Sequence, residues 1–291
     1  MEKKLKMEWI TKQNILIVGL GLMGGSYAKG LKRIGYRISA IDKNAESINF
    51  ALDNDIIDEG ATEPNPELIN KADTIIFALY PHVFIKWIKA NQKHFKPGIK
   101  ITDVTGVKSG VVYEIQSILR EDVEFIPSHP MAGREVYGVQ NSDDSIFHNA
   151  NYIVTPTSKN TKEAINWCSD LGRLLGFRKV SVLSPEEHDQ MIGFVSQLTH
   201  VIAVALMDCN DNTKIVDYTG DSFRDLTRIA NINENMWSEL FLMNKQPLLD
   251  QMDSFITEMQ TLRKMLANDD KAGLCEKMKL STKRRALFNK K

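Results

Sequence analysis

A glycine-rich turn behind a short apolar run is the feature that most constrains how this chain can fold. The run Ile15 to Val18 ends abruptly in Gly19-Leu20-Gly21-Leu22-Met23-Gly24-Gly25, and Ser26 to Ile34 then has the composition of a helix. This order predicts a strand, a tight turn and a helix. In open α/β sheets that arrangement binds the pyrophosphate of a dinucleotide.

The glycines of this turn have two expected tasks. Gly19 and Gly21 let the backbone turn sharply and approach a pyrophosphate, and Gly24 lets the helix pack close to the strand. The N-terminus of the helix supplies free N–H groups and a partial positive charge. A turn that only packs, with no ligand, is the structural alternative. The pattern predicts five cofactor-binding residues: Gly19, Gly21, Leu22, Met23 and Gly24.

An acidic residue follows the second predicted strand and favours the dinucleotide interpretation. Arg37 to Ile41 has strand composition and ends in Asp42. A carboxylate at that point accepts hydrogen bonds from the adenosine ribose hydroxyls and repels a ribose 2′-phosphate. The sequence therefore predicts NAD in preference to NADP, although Lys43 weakens the preference.

Strands and helices continue to alternate through the first half of the chain. This alternation predicts a doubly wound, mainly parallel sheet with helices on both faces, an α/β fold of the Rossmann type. Ligands of such sheets gather at the carboxyl ends of the strands, so Leu79 and Thr105 are expected at the cofactor crevice. The further strands are predicted at Asp73 to Ala78, Lys100 to Asp103, Glu124 to Pro127, Tyr152 to Thr155 and Arg178 to Val182, the last two completing the sheet.

The candidate catalytic residue is His129, which directly follows the predicted strand Glu124 to Pro127. By the same rule it lies at the active edge of the sheet. Lys108 begins the next predicted helix along the same edge. A functional lysine and a solvated lysine of a first helical turn are both open interpretations of that position.

After Val182 the pattern changes from alternation to helix alone. We therefore expect a nucleotide-binding domain over residues 1–183 and a helical domain over residues 184–291. Ser184, Pro185 and Glu187 form a strong helix start, a capping box with proline at the first position, and this helix should run to about Asp208. Its apolar positions are expected to face a core: Met191, Ile192, Val195, Leu198 and Ile202.

The rest of the helical half contains two polar candidates. Arg228 has the planar fork that suits a carboxylate, but its default interpretation, like that of Arg224, is an ion pair with Asp225. His200 is more often a packed residue than a ligand. The later helices, predicted at 235–243, 246–266 and 269–287, are typical of a core or a dimer interface.

Composition excludes several classes of protein. Lys plus Arg (37) equals Asp plus Glu (37), so no nucleic acid or membrane partner is expected. The 3 cysteines show no metal-ligand spacing and predict a reducing, cytoplasmic compartment with no metal site. Lys3, Lys4 and Lys6 are not followed by an apolar core, so no signal peptide is expected.

Three further motifs complete a family resemblance: His129-Pro130-Met131-Ala132-Gly133-Arg134-Glu135, Thr227-Arg228-Ile229-Ala230 and Met236-Trp237. Behind the glycine turn, they make the chain similar to the prephenate dehydrogenase family of tyrosine biosynthesis over nearly its whole length. The resemblance implies a nucleotide-binding domain, a helical domain that forms most of a homodimer interface, and a cleft between them. Because the sequence ends soon after its last predicted helix, we expect no regulatory ACT domain of the kind that some relatives carry.

The resemblance also implies roles for single residues. The histidine that bonds the substrate hydroxyl corresponds to His129, and the glutamate six residues later to Glu135. His200, Arg228 and Trp237 correspond to the second-domain histidine, the arginine and the tryptophan of the substrate site.

The chain departs from the family pattern at several positions. The glycine-serine pair before the lysine of the loop is replaced by Thr105-Gly106, so the hydroxyl that assists the histidine is missing unless Thr105 supplies it. The helix motif has lost its first histidine. Asp221 lies in the approach to the arginine motif, and we hypothesise that it contacts the amino group of arogenate.

The expected reaction removes hydride from C4 of prephenate with loss of CO2, and His129 takes the hydroxyl proton. An ordinary imidazole, with a pKa of about 6.5, suits that task at cytosolic pH. Arg228 would hold a carboxylate, while Glu135 would act in catalysis, in gating or in orientation. Three alternatives remain open: an arogenate dehydrogenase, a β-hydroxyacid-type dehydrogenase that uses Lys108, and a non-catalytic NAD sensor.

Overall fold

The computed structural model of this chain describes Trp9 and residues 13–288. Lys3, Lys4 and Lys6, on which the absence of a signal peptide was argued, lie outside the described residues. The chain divides into two compact units, one that ends at Asn244 and one that begins at Lys245. The domain boundary expected at Ser184 stays a prediction.

The first unit is organised around a six-stranded parallel sheet with the order β3-β2-β1-β4-β5-β6. Its strands are β1 (Asn14–Val18), β2 (Arg37–Ile41), β3 (Glu59–Ala61), β4 (Thr74–Phe77), β5 (Lys100–Asp103) and β6 (Glu124–Phe125). The strand order reverses between β1 and β4, and a ligand crevice opens at such a switch point. The predicted doubly wound sheet is confirmed.

Strand β1 explains why the sheet is covered on both faces. Ile15 and Ile17 lie in one buried cluster and Leu16 and Val18 in the other, because successive side chains of a strand point to opposite faces. All four are at most 1% exposed. The helices that follow these strands are α1 (Leu22–Ile34), α2 (Ala45–Asp53), α3 (Pro66–Lys71), α4 (Pro81–Asn91) and α5 (Ser109–Ile118).

A second, three-stranded sheet contains the segment with His129. It consists of β7 (Ser128–Pro130), β8 (Asn151–Val154) and β9 (Lys179–Val182), with α6 (Lys162–Leu174) between the last two. β7 is antiparallel to β8, whereas β8 and β9 are parallel. The expectation that the last two strands complete the first sheet is therefore wrong. Pro127 has no N–H with which to extend β6, and its carbonyl accepts the N–H of Thr155 instead.

The capping box at Ser184 is present as predicted: Ser184 Oγ accepts the Glu187 N–H at 3.1 Å and Glu187 accepts the Ser184 N–H at 2.9 Å. The helix runs to Asp208 but contains a π-helical turn that the sequence did not predict. It is described here as α7 (Pro185–Ile192), the π turn (Gly193–Leu198) and α8 (Thr199–Asp208). Two shorter helices follow in the same unit, α9 (Asp221–Thr227) and α10 (Glu234–Met243).

The apolar positions of this helix do not all face a core. Ile192 and Leu198 are buried, but Met191 is 46% and Val195 51% exposed. The prediction for these two residues is wrong in the isolated chain. Val195 lies in the π turn, which shifts the register at which side chains leave the helix, whereas Met191 precedes that turn.

The second unit consists of two long helices, α11 (Lys245–Ala267) and α12 (Lys271–Ala286). Asp270 caps α12 by accepting the Gly273 N–H at 2.8 Å, and Lys277 pairs with Glu258 across the two helices at 2.6 Å. Both helices lie close to their predicted bounds.

Among the described residues, the helix Pro185–Asp208 is the one stretch long and apolar enough to cross a membrane by length and composition. It carries three buried polar side chains, His188, Asp189 and Gln197. Each is hydrogen-bonded to another part of the first unit. We therefore interpret it as a helix of the folded domain.

Candidate active site

Two positions of the turn between β1 and α1 have room for no side chain. A Cβ on Gly19 would lie 2.3 Å from the carbonyl oxygen of Ala78, and one on Gly24 would lie 1.9 Å from that of Gly19. Gly19 also has φ of +96°, which favours glycine. By contrast, no described atom lies within 4 Å of a Cβ position on Gly21. The backbone is thus closely packed at Gly19 and Gly24, whereas the space beside Gly21 is open.

The N-terminus of α1 fits an anionic group. Gly21 is its N-cap, and in the described chain no side chain caps it and no acidic residue stands in its first turn. The first backbone N–H groups of a helix have no partner within the helix. Leu22 and Met23, which open α1, are only partly buried. These residues and the open face at Gly21 fit the pyrophosphate of a dinucleotide.

Asp42 lies beside this turn, at the carboxyl end of β2. Its carboxylate accepts the Leu20 N–H at 2.6 Å and the Asn44 N–H at 2.8 Å. On the other side of the turn, Leu79 approaches to 3.0 Å of the Cβ position on Gly19. The structure therefore brings Asp42 and Leu79 to the glycine turn, at the switch point of the sheet.

His129 lies on β7 and is hydrogen-bonded to a second histidine. Its Nδ1 lies 2.9 Å from Nε2 of His188, and Nδ1 of His188 lies 2.8 Å from Oδ1 of Asp189. His188 and Asp189 are buried. A row of histidine, histidine and carboxylate thus leads from α7 to the candidate base.

Asp189 is held by the start of a helix from the other part of the unit. Its two carboxylate oxygens accept the backbone N–H groups of Lys108 and Ser109, at 2.8 and 2.7 Å. These are the first N–H groups of α5, where a negative charge is stabilised by the helix dipole. The carboxylate of α7 therefore caps α5.

Lys108 is buried, so the interpretation as a solvated lysine is wrong. Its Nζ donates to Asp103 at 2.8 and 3.0 Å, to Thr105 Oγ1 at 3.2 Å and to the Ser128 carbonyl. Asp103 is buried too, and it also accepts the Ser128 N–H at 3.0 Å. The ion pair fixes the backbone next to His129.

Burial and neighbouring charges disfavour the protonated form of both histidines. Burial, together with the charges of His188 and Lys108, lowers the pKa of His129 well below its ordinary value of 6.5. Burial also lowers the pKa of His188, against the opposing effect of Asp189. The pKa of Asp189 is lowered: burial opposes ionisation, but hydrogen bonds from His188 and Ser109 outweigh it. His129 does not titrate as an ordinary imidazole, contrary to expectation.

A second cluster contains four of the residues predicted to act on substrate. Arg228 is ion-paired with Glu135, so the expected pair with Asp225 is not the one formed. His200 stacks on Trp237 with ring centroids 3.7 Å apart. Burial lowers the pKa of His200, and the charges of Glu135 and Arg228 act on it in opposite directions. The four side chains are therefore neighbours.

Helix α10 connects the two clusters. Leu240 lies one turn after Trp237 on α10, on the same side of the helix. A Cβ on Gly106 would lie 3.6 Å from Leu240 and 3.8 Å from Nε2 of His129. Helix α10 thus approaches Nε2 of His129 through Leu240 and the arginine cluster through Trp237.

Two family models together cover this chain from residue 27 to residue 280. The nucleotide-binding domain of prephenate dehydrogenase matches residues 27–183, and the dimerization domain of prephenate dehydrogenase matches residues 184–280. The chain belongs to the prephenate dehydrogenase family. It is an oxidoreductase of that family, with a nucleotide-binding domain followed by a helical dimerisation domain, and the predicted family and fold class are confirmed.

Individual relatives agree with this assignment. A prephenate dehydrogenase from Bacillus subtilis is 31% identical, over 90% of this chain and 72% of its own. A cyclohexadienyl dehydrogenase from Zymomonas mobilis is 29% identical, over 94% of this chain and 95% of its own. The crystal structure of prephenate dehydrogenase from A. aeolicus, in complex with hydroxyphenyl propionate and NAD+, is 32% identical with a TM-score of 0.87, over 99% of this chain and 100% of its own.

Thr105 does not take the place of the serine that, by the family resemblance, would assist His129. The Thr105 hydroxyl donates to Asp103 and lies 3.0 Å from the carbonyl of Val107, so it is committed to the Lys108 ion pair rather than to His129. Gly106, the next residue, is the one that faces Nε2 of His129. A serine hydroxyl at position 106, not a threonine at 105, would reach the histidine.

Asp221 stands apart from the other candidates. Its side chain is 92% exposed and pairs with Arg224 at 2.8 Å, at the start of α9. The structure gives it no contact with the cluster of Arg228 and Glu135 among the described residues. The hypothesis that it contacts a substrate amino group stays a prediction without a supporting contact.

Sequence reasoning did not assign a role to His188 or Asp189. His188 and Asp189 directly follow the capping-box glutamate, so the local pattern explained their helix and gave no reason to look further. Their partners lie 59 and 81 residues away in sequence. Only the packing of α7 against α5 and β7 brings them together.

Proposed function

We propose that this protein catalyses the NAD-dependent oxidative decarboxylation of prephenate to 4-hydroxyphenylpyruvate in tyrosine biosynthesis. The nicotinamide, when bound, accepts the hydride from ring C4. The protein has to orient the ring, exclude water and take the proton of the C4 hydroxyl. Aromatisation of the ring, with breakage of the bond between C1 and its carboxylate as CO2 leaves, supplies the driving force.

The observation that carries this proposal is the placement of His129. Its Nε2 faces the space between Gly106 and Leu240, and its pKa lies below neutrality, so the imidazole is an unprotonated base at cytosolic pH. The hydroxyl proton moves to His129 as C4 gains double-bond character to oxygen. It returns to the phenolate oxygen after CO2 has left, so no net proton is consumed.

The arginine cluster supports binding of the acidic substrate. Arg228 is the anchor for a substrate carboxylate and Glu135 occupies it in the structure. Both side chains are partly exposed, so the pair can open without breaking a buried contact. We therefore assign Glu135 to gating rather than to proton transfer, and His200 and Trp237 to the wall of the substrate site.

The glycine turn and Asp42 support NAD as the cofactor. Gly19, Gly21, Leu22, Met23 and Gly24 would hold the pyrophosphate, and Leu79 and the backbone at Thr105 would line the crevice. The negative charge of Asp42 favours ribose hydroxyls over a 2′-phosphate. The relative from A. aeolicus, whose crystal structure contains NAD+, supports the same assignment.

We further propose a cytoplasmic homodimer that assembles through the helical domain. The match to a dimerization domain supports the assembly. The odd number of cysteines and their wide separation in the sequence support a reducing compartment.

One assay tests the reaction: NADH formation with prephenate, with arogenate and with a panel of 3-hydroxy acids. We expect turnover with prephenate. Higher kcat/KM with arogenate would make the protein an arogenate dehydrogenase, turnover of 3-hydroxy acids alone would favour a β-hydroxyacid dehydrogenase, and no turnover would favour a sensor. The buried Lys108, which is held by Asp103, gives the β-hydroxyacid alternative no open catalytic lysine.

A substitution tests the role of His129. We expect His129→Asn to bind NAD normally and to lose roughly 10²–10⁴-fold in kcat, the usual span for removal of a general base. Stopped-flow binding and steady-state rates measure the two quantities separately. Near-normal turnover would contradict the assignment.

A further inference from the structure

His188 and Asp189 form a buried pair behind His129 that the proposed reaction has not yet used. We propose that these two residues are positioning residues, which fix the tautomer of His129 so that its Nε2 carries the lone pair that takes the substrate proton. This inference rests on the proposed role of His129 as the base. It assigns a task to two side chains that never touch the substrate.

Asp189 is ionised, and this fixes the first hydrogen bond of the row. Its oxygens accept two backbone N–H groups, from Lys108 and Ser109, and its pKa lies below the ordinary value of 3.8. An ionised carboxylate can only accept hydrogen bonds. Nδ1 of His188, which lies 2.8 Å from Oδ1, must therefore carry a hydrogen and donate it.

The second step is the tautomer of His188. A neutral imidazole carries one N–H, so a hydrogen on Nδ1 leaves Nε2 as an acceptor. His188 is fully buried and its pKa is lowered, which makes the neutral form the relevant one. Its Nε2 therefore accepts from Nδ1 of His129 at 2.9 Å.

The third step places the lone pair of His129. Because Nδ1 donates to His188, Nε2 of the neutral ring has no hydrogen. Nε2 is the atom that faces Gly106 and Leu240, and it has no hydrogen-bond partner among the described residues. The base is thus oriented towards the cleft before the substrate arrives.

The same row stabilises the protonated base during turnover. When Nε2 takes the hydroxyl proton, the Nδ1–H of the imidazolium still points at His188, and the negative charge of Asp189 lies at the end of the row. The other charged groups that face the site, Lys108 and Asp103, neutralise each other as an ion pair. Asp189 is therefore the carboxylate that compensates the transient positive charge.

The wild-type protein provides a direct test that needs no turnover. In a sample labelled with 15N-histidine, bound to NAD near neutral pH, we expect the His129 signals of a neutral ring with hydrogen on Nδ1 and none on Nε2. His129→Asn identifies the signals by their loss. A ring with its hydrogen mainly on Nε2 would overturn the proposal.

Asp189→Asn provides the kinetic test. The amide nitrogen can donate to Nδ1 of His188, which reverses both tautomers and puts a hydrogen on Nε2 of His129. In the serine-protease triad the same change lowers kcat about 10⁴-fold, and we expect a loss on the order of 10²–10⁴-fold here. The KM for prephenate and the affinity for NAD should stay within a few-fold of wild type.

Ser184→Ala is the matched control, because it weakens the same helix by removing its N-cap without changing the row. It should lower the melting temperature and leave kcat unchanged. A variant Asp189→Asn with wild-type kcat, or one in which only KM changes, contradicts the proposal. If that variant does not fold, the 15N spectrum of the wild type decides the question. If the wild type turns over neither prephenate nor arogenate, the proposed function fails, while the spectrum still tests the tautomer.

Discussion

At the scale of single residues, Arg228 is the side chain whose partner would have to change in the proposed reaction. In the structure its guanidinium is paired with Glu135, a contact between two partly exposed groups. Such pairs contribute little to stability, about 0–1 kcal/mol, so a substrate carboxylate can displace Glu135 at small cost. In the proposed reaction, Arg228 therefore contributes mainly to substrate binding and little to the stability of the fold.

This leads to a prediction for Arg228→Ala. Loss of a charge-assisted hydrogen bond of about 1.5–3 kcal/mol should raise the KM for prephenate roughly 10- to 100-fold, with kcat changed much less. Arg224→Ala is the control, since Arg224 pairs with Asp221 and not with the cluster. Steady-state kinetics measure both. An unchanged KM in Arg228→Ala would mean that the arginine only packs.

The lowered pKa values of His129 and His188 predict how stability depends on pH. Below an unfolded-state pKa of about 6.5, these two histidines are protonated in the unfolded chain but stay unprotonated in the folded protein. Their contribution to the free energy of unfolding is therefore fully present above that pH and is lost as the pH falls below it. Urea unfolding between pH 5 and 8 measures the effect. His129→Asn should have a shallower slope, and equal slopes would contradict the prediction.

At the scale of secondary-structure elements, α5 is the point where three parts of the site meet. Lys108 at its start binds Asp103 of β5 and the carbonyl of Ser128 on β7, while Asp189 of α7 caps its first N–H groups. Helix α5 therefore connects β7, which carries His129, to β5 and α7.

Lys108→Met should be strongly destabilising, because it leaves the buried Asp103 without its cation. Removal of one partner of a buried pair costs about 3–5 kcal/mol. Lys89→Met is the control, because Lys89 pairs with Glu114 at the same distance of 2.8 Å but at the surface, where the loss is at most about 1 kcal/mol. Chemical denaturation compares the two, and similar losses would refute a structural role for the buried pair.

Local patterns predicted the elements whose neighbours in sequence are also their neighbours in space. The strands β1 and β2, the glycine turn and the capping box of α7 all follow from runs of five to ten residues. The sheet of β7, β8 and β9 did not, because β7 has three residues, one of them proline, and is antiparallel to its partner. The π turn was also missed, since its sequence continues the helical pattern without interruption.

The site shows the same division. His129 could be named because it follows a strand of the sheet and lies in a family motif. Its partners could not, because the bond between His129 and His188 depends on how α7 packs against β7. Nor does any local pattern reveal that Lys108 is buried, since the first turn of a helix usually meets solvent.

At the scale of the whole molecule, the helical half exposes apolar side chains that a single chain does not cover. On the helix Pro185–Asp208 and on α10 these include Met191, Phe194, Val195 and Leu242. Contiguous exposed apolar surface marks an interaction site. The proposed homodimer would bury it.

We therefore predict that Met191→Asp combined with Val195→Asp weakens the dimer. A charge in an apolar interface costs desolvation without a partner, so the variant should elute at a lower mass in light scattering at micromolar concentration. Leu52→Asp is the control: Leu52 is an apolar residue of α2 that is 40% exposed, and its substitution should leave the mass unchanged. A dimer of unchanged stability in the double variant would exclude this face.

The capping of α5 by Asp189 has a consequence for how the protein loses activity. Asp189, the carboxylate proposed to orient His129, also accepts the N–H groups at the start of α5. Fraying of that turn would release Asp189 and then His188, and would leave the ring of His129 free to rotate. Heat or denaturant would then inactivate the enzyme while the sheet is still intact. Activity would therefore be lost before global unfolding is detected.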